Sequence, residues 1–91
     1  MPDPADKLTR LLSVTPPVRL YFLSPTRIYR ASLFVDLLGD WIVTRTWCGR
    51  DSHRGGEMTI VVESEEKGRV LLQAIAKRRR QHGYELQEEG G

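Results

Sequence analysis

The sequence predicts an α+β domain. An antiparallel sheet of four to five strands would carry one main C-terminal helix on one face, with a short helix at the N-terminus. Three observations predict it. Between residues 18 and 63, runs rich in β-branched and aromatic residues alternate with a period of two. Two turn segments, Ser24-Pro25-Thr26 and Asp36 to Asp40, interrupt those runs and return the chain antiparallel. From Ser64 the apolar residues switch to helical spacing.

Asp6 to Ser13 can form a short helix, with Leu8, Leu11 and Leu12 on one face and Asp3 or Asp6 as its cap. It stops before Pro16-Pro17, because proline cannot continue a helix. So short a helix is unstable alone, and residues 1–17 are expected to pack loosely or serve as an arm. Val18 to Leu23 reads as a strand, with Val18, Leu20 and Phe22 opposed to Arg19, Tyr21 and Leu23. Arg27 to Val35 follows, placing Tyr29, Ala31, Leu33 and Val35 inward. The next strand, Trp41 to Cys48, puts Trp41, Val43, Arg45 and Trp47 on one face, and Ile42, Thr44, Thr46 and Cys48 on the other. A glycine-rich loop from Gly49 to Gly56 leads to a strand from Met58 to Glu63.

Ser64 resembles an N-cap, with Glu65 and Glu66 in the first turn where the helix dipole favours negative charge. The helix is expected to run to about His82 on a stripe of Val70, Leu71, Ala74 and Ile75, widened by Leu72. Gly83 is placed as its left-handed stop, and Tyr84 to Gln87 as a last short strand. The expected organisation is an arm over 1–17, one domain over 18–87 and a flexible tail over 88–91. One helix covers one side of such a sheet, leaving the other to solvent, the arm or a ligand.

The 91 residues are 40% hydrophobic and 29% charged, which suits one soluble domain with a modest core. No apolar run approaches the roughly 20 residues that cross a bilayer. The acidic start, Met1 to Asp6, is unlike a signal peptide, so a cytoplasmic location is expected. A single cysteine excludes an internal disulfide and cysteine-rich zinc sites. The net charge of +2 is small, but the cations cluster. Lys77, Arg78, Arg79 and Arg80 form one group, and Arg45, Arg50 and Arg54 another. The acids Glu63, Glu65, Glu66, Glu85, Glu88 and Glu89 lie in separate stretches. A basic pole on a nearly neutral protein is the electrostatic signature of an anionic partner.

The stretch from Asp40 to Glu57 joins two tryptophans and a cation to a basic glycine loop. This combination suits a phosphate with a sugar or base. It also suits an ordinary hairpin, with Trp47 filling a small core. Trp41, just after the Gly39-Asp40 turn, reads as an apolar clamp on that hairpin. The loop can be a solvated connection, or one whose N–H groups and arginines approach phosphate. Lys77 to Arg80 complement the negative end of the helix dipole, and fan around it so that only one or two could reach a ligand.

Three segments carry a resemblance to a known family. Arg27-Ile28-Tyr29-Arg30-Ala31-Ser32-Leu33, Asp36-Leu37-Leu38-Gly39-Asp40-Trp41 and Thr46-Trp47-Cys48-Gly49-Arg50, in that order, resemble the WGR domain. This domain occurs in poly(ADP-ribose) polymerases and as small stand-alone bacterial proteins. The basic helix end, Arg78-Arg79-Arg80-Gln81-His82-Gly83-Tyr84, is similar to the close of the bacterial members. The resemblance spans about residues 18 to 87. It departs from the family at the signature itself, where Cys48 stands between Trp47 and Gly49. Either Cys48 is inserted, or it takes the glycine position and Arg50 lies one residue beyond the family's arginine.

The resemblance implies a non-catalytic nucleic-acid-binding module, DNA before RNA, in which Trp47 packs on the sugar of a nucleotide at an end or nick. Gly49, Arg50, Arg45, Arg54 and Lys77 are the further candidate contacts. The alternative is a protein-interaction module using the exposed sheet face, which the resemblance also permits, and the uncovered face with the N-terminal arm could support a homodimer. No cofactor, metal or membrane is expected. Cys48, Asp51, Ser52 and His53 do not form a nucleophile–base arrangement by spacing, and His82 has no obvious carboxylate to orient it. No enzymatic activity is therefore expected.

Overall fold

A computed structural model describes residues 4–52 and 54–88. Along the chain these form α1 (Pro4–Leu12), β1 (Val18–Leu23), β2 (Arg27–Val35), β3 (Trp41–Gly49), β4 (Gly55–Val62), α2 (Glu65–Gln81) and β5 (Glu85–Gln87). The strands make one sheet in the order β4-β3-β2-β1-β5, with every pairing antiparallel. The predicted α+β architecture is what the chain adopts.

Period-two alternation translates directly into burial. Val18, Leu20 and Phe22 of β1, Tyr29, Ala31 and Leu33 of β2, and Val43 of β3 point to one face and are buried there. They join Leu12 of α1 and Leu72, Ile75 and Ala76 of α2 in a single core, so both helices lie on the same face of the sheet. Leu8 and Leu11 also pack against this core. The Arg69 guanidinium donates to the carbonyls of Leu12 and Val14, and Lys7 donates to that of Leu86. α1 is thus tied to α2 and β5 instead of standing off as an arm. It begins at Pro4, so Asp6 lies in its first turn and does not cap it; Asp3 lies outside the described residues.

Four expectations shift. Val35, predicted inward, is 45% exposed, because it sits at the sheet end beyond the cover of α2. On α2 the buried residues are Gly68, Leu72, Ile75 and Ala76, while Val70 and Ala74 are exposed. The cause is the approach of the helix to β2: a Cβ on Gly68 would lie 2.4 Å from Leu33 Cδ1. With Gly68 turned to the sheet, helical spacing brings positions 72, 75, 76 and 79 down with it. β4 begins at Gly55, not Met58, which shortens the polar connection to residues 50–54. Ile42, on the face without helices, is only 6% exposed, flanked in register by Phe34 and Val61.

Helix ends follow the expected chemistry. The Ser64 hydroxyl accepts from Lys67 N–H at 3.1 Å, capping α2. At the other end Gly83 has φ +84°, and two bonds close the turn, from Gly83 N–H to Arg80 O and from Tyr84 N–H to Arg79 O. This is a Schellman arrangement, and it turns Tyr84 back into the core.

Candidate nucleic-acid interface

β3 runs without a bulge opposite β2, pairing Trp47 with Tyr29 and Arg45 with Ala31. Trp41, Val43, Arg45 and Trp47 therefore share a face as the alternation predicts, and it is the face beneath the helices. Trp47 stacks on Tyr29 with ring centroids 6.0 Å apart and planes at 14°. Across β4 it faces Gly56, where a Cβ would come within 2.8 Å of the indole Cζ2. The second glycine of the pair predicted as loop is thus a strand residue that leaves room for the indole. Trp47 remains half-buried. Trp41, paired with Val35 and Val62, also packs against the core.

Tyr29 is the centre of this end of the molecule. Its ring meets Phe22 and Tyr84 edge-on, at 6.1 and 6.0 Å between centroids. The Arg45 Nε–H donates to its hydroxyl, and the guanidinium lies 5.8 Å from the ring centroid. Arg79 reaches the same ring from α2, with its Cζ at 4.6 Å, and sits 5.4 Å from the Tyr84 ring. Tyr84 follows Arg79 through the Schellman turn, so the cap that ends α2 also seats this arginine between two aromatic rings. Arg79 Nε is buried without a hydrogen-bond partner among the described residues.

The short 50–54 connection lies beside this cluster, at the end of β3. Arg50 N–H donates to Thr26 O at 2.9 Å, and its guanidinium donates to Ser24 O at 3.2 Å, docking the connection on the β1–β2 turn. Gly49 N–H donates to Arg54 O at 3.1 Å, and Arg54 N–H donates to the Ser52 hydroxyl. Arg50 and Arg54 are exposed, while Gly49 and Arg45 are half-buried. Lys77 is exposed as well, on a different side of α2: two residues before Arg79, it is rotated from it by about 200°. The helix cation that meets the aromatic group is Arg79. Once Leu72, Ile75 and Ala76 are known to be the buried positions, helical spacing places Arg79 on the same side, but the sequence alone does not choose that side.

The arginines at this end form no ion pair among the described residues. The ion pairs among the described residues are Arg10–Glu88, Lys67–Glu63 and Arg69–Glu65, all elsewhere. None of Arg45, Arg50, Arg54 and Arg79 meets a carboxylate there. Cys48 and Thr46 point to the opposite face of the sheet, away from Trp47. Asp51 and Ser52 are exposed in the connection, and His53 lies outside the described residues. No group of three His, Cys, Asp or Glu side chains among the described residues is arranged to hold a metal ion. No described helix is long and apolar enough to cross a membrane. Compared with known proteins, the chain matches no protein-family model, no curated protein and no solved structure.

Proposed function

We propose that this chain is a non-catalytic nucleic-acid-binding module of the cytoplasm, of the kind that the WGR resemblance implies, and that DNA is its ligand. The observation that carries the reading is the half-buried indole of Trp47, stacked on Tyr29 beside arginines that form no ion pair among the described residues. The accessible part of the indole packs on a sugar or base at a DNA end or nick. Exposed Arg50 and Arg54 contact the flanking phosphates, and the Arg45 and Arg79 guanidiniums add field from behind the rings. Lys77, on another side of the helix, contributes at most through long-range attraction.

Fluorescence anisotropy on nicked, blunt-ended and intact duplexes, across several salt concentrations, tests this. Trp47→Ala should weaken binding to nicked DNA roughly tenfold or more, given the ~1–3 kcal/mol of a stacked base. Arg50→Ala/Arg54→Ala, which leaves the core untouched, should flatten the logarithmic salt slope by about 0.9 for each phosphate no longer neutralised. Circular dichroism would verify that each variant folds. Absence of binding to every duplex at low salt would falsify the proposal. Equal binding to all duplexes, indifferent to Trp47, would reduce the site to a basic surface.

A second reading is a protein-interaction module using the sheet face that no described helix covers. It is favoured by the apolar row Phe34, Ile42 and Val61 on that face.

A further inference from the structure

The β2–β3 turn carries two adjacent leucines that the turn itself does not need. Leu37 and Leu38 are 105% and 87% exposed. The turn is closed by other groups: the Asp36 carboxylate accepts from Leu38 N–H and Asp40 N–H, both at 2.9 Å, and Gly39 supplies φ +85°. Turns of this kind ordinarily hold polar residues at such positions. Two leucines side by side at the far tip of a hairpin form a projecting apolar knob.

Beside the tip lies an open groove lined by Pro16, Pro17, Arg19, Ser32, Phe34 and Val35. Its floor is apolar at the proline and phenylalanine end and carries one cation. The Arg19 guanidinium is exposed and makes no ion pair or side-chain hydrogen bond among the described residues. The knob has the opposite charge, since Asp36 and Asp40 flank the leucines and neither pairs with a cation among the described residues. Knob and groove are contiguous in the chain: Val35 ends the groove and Asp36 begins the turn. A two-fold axis beside Val35 would therefore set the knob of each copy into the groove of the other, a closed isologous arrangement.

We propose that two copies of this chain associate through this knob and groove. Leu37 and Leu38 of one copy pack on Pro16, Pro17 and Phe34 of the other, with Asp40 placed against Arg19. A contact limited to two leucines and a shallow groove makes a weak dimer. It lies at the opposite end of the sheet from Trp47 and does not depend on the DNA reading. A failure of one leaves the other standing.

Sedimentation analysis of the full chain from roughly 10 µM to 1 mM spans the range for an interface of this size. Wild type should approach twice the mass of the chain as concentration rises. Leu37→Ser/Leu38→Ser, and separately Arg19→Asp and Asp40→Arg, should each lower the association constant about tenfold or more. Arg19→Asp/Asp40→Arg in one chain restores opposite charges across the two-fold and should recover the dimer. All these positions are exposed, so the fold is preserved, as circular dichroism can verify. A chain that stays monomeric throughout overturns the proposal, and so does a dimer indifferent to the leucines. Monomers captured by zwitterionic phosphatidylcholine vesicles through the same leucines would overturn it too, and assign the knob to a lipid surface.

Discussion

Gly56 shows how much of the site depends on an absent side chain. The Trp47 indole occupies the space that a Cβ there would take, 2.8 Å from Cζ2. Gly56→Val should force the ring off Tyr29 and destabilise the fold by roughly 1–3 kcal/mol, the usual penalty of overpacking. Tryptophan fluorescence and near-ultraviolet circular dichroism should report the displaced ring. On the proposed function, DNA affinity should fall as it does for Trp47→Ala, although the tryptophan is still present. An unchanged spectrum would mean that the strand edge yields instead of the ring. At this scale the sequence was readable for Trp47 and Arg45, whose shared face follows from alternation alone. It was silent on the hub: Tyr29 was legible as an inward residue, but nothing local announces that rings 7, 18 and 55 residues away meet it.

Among the elements, α2 is the one whose ends and whose rotation have separate causes. Its ends are local: Ser64 satisfies an orphan N–H of the first turn, and Gly83 takes the left-handed conformation that closes the last. Ser64→Ala should therefore cost about 1 kcal/mol, read as a lower urea midpoint with an unchanged slope. No loss of midpoint would show that the bond to Lys67 N–H is replaced by water at no cost. Its rotation is not local. Several faces of the 65–81 segment carry apolar residues, so periodicity alone leaves the buried face undecided between the Val70–Ala74 side and the Leu72–Ala76 side. The close approach of Gly68 to Leu33 decides it, and Arg79 is carried to the aromatic group as a consequence.

For the whole molecule, placing both helices on one sheet face makes α1 part of the core. Leu12 is 7% exposed, and Leu8 and Leu11 pack beside it. Deleting residues 1–13 should destabilise the domain by several kcal/mol, at roughly 1.5–3 kcal/mol for each well-buried leucine. That is a large share of the roughly 5–15 kcal/mol typical of a domain. Urea unfolding followed by circular dichroism would measure it, and an unshifted midpoint would show that α1 adds nothing to the core. The same arrangement separates two ends of the sheet. The cationic aromatic group lies where α2 finishes, and the leucine knob where β2 turns into β3.

The sequence by itself determined the α+β class, the strands and the pairing pattern that follows from their turns, the cap and stop of α2, and the pair of residues Arg45 and Trp47 on one face. These depend on neighbours within a few positions, where alternation, capping and glycine stereochemistry act. Only the tertiary structure decided that this face lies beneath the helices, that Gly55 and Gly56 extend a strand, and that Arg79 instead of Lys77 reaches Tyr29. Each of those rests on the distance between segments far apart in the chain, and that distance is set by packing.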